Sequence, residues 1–260
     1  MERTAATIVL MYHALTGTGS PAAGQDPHYS IAAERFDAHL RLLRHCAGGG
    51  SSTRDWLAGL ASSRVLLTFD DGHLSNYTVA LPLLAQHGAR ADFFVNPNRV
   101  GTLGFANWPQ LVEMTAAGMS IQSHGWNHRY FTELTANELR EDLTRSRQTI
   151  EDRLGQSVTL LTPPGGRVPM HLADIARECG YTHVLGSQPG RIHNVHAPLL
   201  PRMAVTAGLD ETTLGGWLAG RGVARARLRY AMLGFAKRAL GDRGYERLRA
   251  RLLRQARGDA

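Results

Sequence analysis

The chain has 260 residues, enough for one α/β domain with a short appendage. An apolar fraction of 43% with 20% charged residues fits a globular chain and excludes wholesale disorder. The formal charge of +7 is concentrated after Arg221, so it gives no reason to expect a nucleic-acid partner for the chain as a whole.

The chain opens with the apolar run Thr7 to Met11, too short for the core of a signal peptide, and no stretch of eighteen apolar residues follows. The expectation is therefore a cytoplasmic protein, peripheral at the inner membrane face at most. Strand-like runs fall at Thr7–Tyr12, Val65–Phe69, Ala91–Val95, Met119–Ser123, Thr159–Thr162, His183–Gly186 and Leu200–Val205. Helical spacing falls between them, at Ala32–Cys46, Asn76–His87, Trp108–Ala117, Ala136–Leu154, His171–Cys179 and Glu211–Ala219. Ser30 reads as a start signal for the first helix, and Thr135 with Glu138 has the spacing of a capping box. Gly88, Gly118, Gly155 and Gly180 each follow a helix, where a left-handed residue is wanted. Gly17–Tyr29 and Gly48–Thr53 read as loops. Cys46 and Cys179 lack metal-binding spacing and read as reduced, buried or semi-buried thiols, with a disulfide left open.

About seven alternations of strand and helix predict an α/β fold with a parallel sheet, which can close into a barrel at this length. The boundary falls near 220: residues 1–220 form the barrel and 221–260 a basic amphipathic helical tail. Leu228, Met232, Phe235 and Leu240 make an apolar stripe on that tail, flanked by arginines and lysines. One reading is peripheral membrane contact beside anionic lipid. The other, slightly favoured, packs the stripe on the barrel and leaves the arginines solvated.

Chemistry in such folds collects at the carboxyl ends of the strands. The polar residues Tyr12-His13, Asp70-Asp71, Ser123-His124 and Pro163-Pro164-Gly165 all stand there. Two adjacent carboxylates repel, and a bound cation relieves the repulsion, leaving one free as a base. The plain alternative is that Asp70-Asp71 caps a helix beginning near Ser75. His124 and His128, four apart after a strand, can turn both rings to one side, and with one carboxylate they would make a three-ligand metal site. A pair at that spacing also arises by chance in a chain with 12 histidines.

Thr68-Phe69-Asp70-Asp71-Gly72 followed by Ser123-His124-Gly125-Trp126-Asn127-His128 resembles the first two motifs of NodB-type polysaccharide deacetylases, carbohydrate esterase family 4. The resemblance runs from about Ile8 to Val205 and includes Ala91-Asp92-Phe93-Phe94-Val95. It implies a distorted (β/α)7 barrel and hydrolysis of the N-acetyl group of N-acetylhexosamines in a polysaccharide or lipid-linked glycan. It further implies a divalent metal, usually Zn2+, held by Asp71, His124 and His128, with Asp70 as general base towards the attacking water. Thr162-Pro163-Pro164-Gly165-Gly166 stands where the family's third motif supplies a backbone N–H to the oxyanion, which makes Gly165 the candidate donor; a plain Pro-Gly turn is the alternative.

The chain departs from the family pattern in two places. Thr162 stands where an arginine usually orients the catalytic aspartate, with Arg167 near but not at the matching position. The usual C-terminal Leu-x-His is absent, and Leu200-Pro201-Arg202-Met203 occupies the corresponding strand. Met11-Tyr12-His13 resembles the Tyr-His element of a branch that includes poly-N-acetylglucosamine deacetylases, in which this histidine takes the acid's place. His13 is thus the candidate general acid, with an ordinary strand-end histidine as alternative. Asp174 is a candidate for a supporting role. Two other function classes remain: a catalytically degenerate carbohydrate-binding barrel, and an iron oxygenase, which usually sits on a double-stranded β-helix that this alternation does not support.

Overall fold

In the computed structural model, which describes residues 7–18, 20 and 23–232, the two most apolar runs become the central strands. All five side chains of β1 (Ile8–Tyr12) are buried. Before β4 come β2 (Leu15–Thr16), β3 (Ile31–Ala32), α1 (Ala33–Ala47) and α2 (Thr53–Leu57). In β4 (Val65–Phe69) all five side chains are again buried. Uninterrupted apolar strands of this kind belong in parallel sheets covered on both faces. The chain continues through α3 (Leu81–Gln86), β5 (Asp92–Val95), α4 (Trp108–Ala116), β6 (Ser120–Ser123), α5 (Ala136–Leu154), β7 (Leu160–Leu161), α6 (Leu172–Glu178), β8 (His183–Val184), β9 (Met203–Ala204) and α7 (Glu211–Leu218).

Seven strands form one sheet in the order β8-β7-β6-β5-β4-β1-β9, every pairing parallel. The two edges meet through a parallel bridge between Leu185 and Leu200, which curls the sheet into the expected distorted (β/α)7 barrel. All seven expected strands are present, several of them shorter than expected. The sheet is not a double-stranded β-helix, so the fold lends the oxygenase reading no support.

The differences have local causes. The stretch 76–87 is helical, but its first turn is a π-turn over Asn76–Ala80, in which Leu81 N–H reaches back to Asn76 O. Pro82 has no N–H to give, and the widened turn absorbs the missing bond. Ser30 does not cap α1; its hydroxyl donates to Asp26 O, and Ala32 occupies the cap position with no side-chain bond. Thr135 and Glu138 form the expected capping box, and the four post-helix glycines all take positive φ. The unexpected small pair β2–β3 flanks the loop 17–29, and the unexpected single-turn helix α2 begins at Thr53, where the second loop ends. Cys46 is exposed rather than buried or semi-buried, Cys179 is buried, and neither forms a disulfide.

The described part of the tail is helical over residues 223–232. It rests on the barrel through Val223 and Ala226, and Arg227 donates to Pro189 O. Leu228 and Met232 are 62% and 65% exposed, so the packed face is not the stripe expected to bury. Phe235 and Leu240 lie outside the described residues. Among the described residues no helix is long and apolar enough to cross a membrane.

Asp92, at the start of β5, is fully buried and accepts the backbone N–H groups of Thr53 and Arg54. Burial outweighs these bonds and pushes its carboxyl up to about 6. Because the folded value exceeds the unfolded 3.8, the folded state binds this proton more tightly, and stability falls as the pH rises between the two values. The loss should reach about 3 kcal/mol above pH 6. Asp92→Asn keeps an acceptor for Thr53 and should remove that slope, read by urea unfolding at pH 5 and pH 8; an unchanged slope would show that Asp92 is not its source.

Candidate active site

The loops at the carboxyl ends of β1, β4, β6 and β7 converge on one point, joined by Arg202 from just before β9. Gly72 makes the turn after β4 with φ 71°, and a Cβ there would come within 3.0 Å of Val95 Cγ1, so only glycine fits. The chain then pins the end of β1: Asn76 Nδ2 donates to His13 O (2.8 Å), and Leu15 N–H donates to Ser75 Oγ (2.8 Å). Asp70 and Asp71 therefore make no helix cap. Their loop is spent on placing His13 beside them.

Asp71, His124 and His128 come together with their ligand atoms within 4.8 Å of one another, the only such group among the described residues. His124 Nε2 and His128 Nε2 stand 3.3 and 3.0 Å from Asp71 Oδ1. Oδ1 is nonetheless a buried acceptor to which no well-directed hydrogen bond is made. Three donor atoms thus face a common point instead of pairing with one another. Asp71 (φ 75°) and His128 (φ 61°) both hold left-handed backbones, a cost commonly found at functional sites. Burial opposes ionisation of Asp71, but the two imidazoles outweigh it and hold its carboxyl well below the usual range.

The other ring nitrogen of His124, Nδ1, lies 2.9 Å from Thr162 O and 2.6 Å from Thr162 Oγ1. A carbonyl can only accept, so Nδ1 carries the proton and Nε2 presents its lone pair to the cluster. Thr162, standing where the family has arginine, orients His124. Asn96 Nδ2 donates to the carbonyls of His124 and Gly125, and Asp142 on α5 accepts Trp126 N–H (2.8 Å). Gly125 (φ 74°) fits against Phe131 and Asp142, which a Cβ would approach to 2.8 and 2.9 Å.

Asp70 stands apart from this set and has its own partner. Arg202 Nη1 and Nη2 donate to Asp70 Oδ1 and Oδ2, both at 2.7 Å, and Arg202 Nε donates to Gly186 O (2.8 Å). Arg202 is 0% exposed and Asp70 3%. Burial works against the carboxylate; the Arg202 charge and its two bonds outweigh it and hold the carboxyl below its usual range. The orienting arginine that the third motif lacks therefore reaches Asp70 from the opposite side, from the residue preceding β9. Sequence reasoning passed over Arg202, although an arginine inside the apolar run 199–205 demands a buried anion. Arg167 instead stacks over the Tyr130 ring (3.9 Å).

His13 faces the cluster at the end of β1, stacked on Tyr29 with centroids 4.5 Å apart. Its Nδ1 is buried without a hydrogen-bond partner. Burial pushes its pKa down, against the pull of Asp71 and Asp70. Gly165 follows β7 in a short turn with φ 62°, where a Cβ would strike Tyr130 at 2.6 Å. Asp174 is a surface residue of α6 paired with Arg177 (2.9 Å) and takes no part in the site.

The family model described as polysaccharide deacetylase matches residues 59–184, which hold Asp70, Asp71, His124 and His128. Over these residues the chain is similar to the polysaccharide deacetylase family. Similar proteins include YxkH of Bacillus subtilis, 25% identical over 226 residues, covering 84% of this chain and 77% of that one. Another is the peptidoglycan-N-acetylglucosamine deacetylase PgdA of Listeria monocytogenes, 31% identical over 115 residues, which are 44% of this chain and only 24% of PgdA. The solved structure of the Streptococcus pyogenes deacetylase PplD in complex with acetate superposes with a TM-score of 0.71 at 22% identity, covering 81% of this chain and 97% of that one, a likeness of fold. Arg202 and His13 both lie outside the matched segment, as does the strand that lacks Leu-x-His, whereas Thr162 lies inside it.

Proposed function

We propose that the chain is a divalent-metal-dependent hydrolase that removes the acetyl group from N-acetylhexosamine residues of a polysaccharide or lipid-linked glycan. The observation that carries this reading is the orphaned Asp71 Oδ1 facing two imidazole Nε2 atoms, beside a separately held carboxylate. Two imidazoles and one carboxylate suit zinc and leave room for water and substrate. A cation there would polarise the acetamide carbonyl and make water easier to deprotonate. Asp71, His124 and His128 hold that cation. Asp70, fixed by Arg202, takes the proton from the attacking water with an oxygen lone pair left free by the guanidinium. Gly165 N–H is the proposed donor to the oxyanion. His13, reaching the cluster from β1, delivers a proton to the departing amine, the step that turns a poor leaving group into a neutral one.

The reading of a barrel that binds glycan without cutting it rests on the missing arginine and the displaced acid. Arg202 supplies the first, and His13 stands where it can supply the second.

The test is acetate release from N-acetylglucosamine oligomers by chelator-stripped and zinc-reloaded protein. Release that disappears on stripping and returns with zinc is the expected result. Release indifferent to the chelator, or stoichiometric zinc with no release from any N-acetylated glycan, would overturn the reading.

A further inference from the structure

A cavity of about 580 Å³ lies beside the catalytic cluster, between the end of β9 (Met203, Ala204), Trp217 of α7 and the helical segment 223–232. Arg221, Arg225 and Arg229 line it, and no aspartate or glutamate does. Other arginines nearby are engaged: Arg227 with Pro189 O, Arg191 with Trp217 O and Leu218 O. The three that line the cavity have no side-chain hydrogen bond or ion pair among the described residues. Arg225 and Arg229 are one helical turn apart, so two like charges are held about 6 Å from each other along the helix axis. Both are exposed, and on one helix face their guanidinium groups can reach the same anion. The guanidinium fork matches phosphate oxygens in pairs, and two forks a turn apart suit a group with several anionic oxygens better than a lone carboxylate.

The cavity and the catalytic cluster adjoin at Tyr29. Tyr29 lines the cavity and also stacks on His13. Trp217 and Tyr230 add flat apolar faces of the kind on which sugar rings rest. A single extended glycan can therefore occupy both places.

We propose that this cavity binds a phosphate-bearing part of the same glycan whose acetyl group is removed at the neighbouring cluster, with Arg221, Arg225 and Arg229 as its phosphate ligands. The inference rests on the deacetylase reading for the sugar and on the cavity alone for the phosphate. The phosphate has two sources with the same chemistry: a phosphodiester within a polymer, or the diphosphate that joins a glycan to a lipid carrier.

The experiment is calorimetric titration of the zinc-loaded full-length chain and of its Arg225→Gln/Arg229→Gln variant. The probes are inorganic diphosphate, a neutral N-acetylglucosamine tetramer, the same tetramer with an internal phosphodiester, and the tetramer carrying a prenyl diphosphate. Each charge-assisted hydrogen bond contributes a factor of about ten or more. The phosphorylated tetramers should therefore bind at least about tenfold more tightly than the neutral one, and the double variant should bring that ratio close to one. The tighter of the two phosphorylated probes identifies the source. Equal affinity for neutral and phosphorylated tetramers, or a preference that survives in the variant and so belongs to the metal centre, would overturn the proposal. Inorganic diphosphate keeps the two readings separable. Its Arg225- and Arg229-dependent binding would uphold the cavity even if no tetramer were deacetylated, and its failure to bind would sink the cavity even if every tetramer were.

Discussion

Replacing Arg202 with methionine should destabilise the folded chain by about 3–5 kcal/mol at neutral pH and reduce acetate release severely. The methionine fills a similar volume, so the loss comes from leaving Asp70 charged, buried and without its two 2.7 Å bonds. Asp70 contributes its stabilisation in full above its unfolded value of 3.8 and loses it as the pH falls through the lower folded value. Without Arg202 the burial of Asp70 is unopposed by its strongest partner, and the carboxyl rises. The acid limb of the pH–rate profile should move to higher pH, which a merely structural loss would not produce. Arg202→Lys should recover little, because one ammonium cannot replace a fork that also binds Gly186 O. An unshifted acid limb in Arg202→Met, measured on protein that remains folded, would dissociate Asp70 from the proton transfer.

Asp70→Asn should lower kcat by about 10²–10⁴-fold, the usual worth of a positioned general base. The amide keeps an acceptor for one Arg202 nitrogen but has no basic oxygen for water's proton. Zinc content should stay at one ion per chain, because Asp71, His124 and His128 form the metal group without Asp70. That separation is the informative part. Retained metal with lost turnover assigns Asp70 to proton transfer, whereas metal lost along with turnover would make it a ligand and reverse the roles of the two neighbouring aspartates. Asp70→Asn also leaves Arg202 with an unpaired charge, so the double variant Asp70→Asn/Arg202→Met should be more stable than either single change implies.

The sheet was legible because its strands are short uniform runs with turn residues between them. Val65–Phe69 coincides with β4 residue for residue, and Ala136–Leu154 coincides with α5, whose capping box and terminal glycine are local signals. The candidate metal group was legible for a related reason, since Asp71 and His124 stand within two residues of such a run and His128 follows His124 by four. Arg202 was not. Its meaning depends on a partner 132 residues away, and no local pattern announces which buried carboxylate a buried arginine will meet. Thr162 was misread in the same way: it was weighed as a missing arginine, while its carbonyl and hydroxyl were already assigned to His124 Nδ1. The tail was misjudged because helical periodicity finds an apolar face without saying whether the barrel offers a matching one, and the barrel takes Val223 and Ala226 instead.

The pairing of Asp70 with Arg202 also sets an order of events during synthesis. The carboxylate leaves the ribosome 132 residues ahead of its guanidinium, an interval of roughly 7–26 s at ordinary elongation rates. Through that interval the nascent chain holds the residues around Asp70 and then both histidines, but not the strand that closes the barrel against β1. A product truncated between residues 128 and 202 would carry Asp71, His124 and His128 and still lack the counter-charge of Asp70. Translation to the last strand is thus the step that brings Arg202 to Asp70 and closes the sheet against β1.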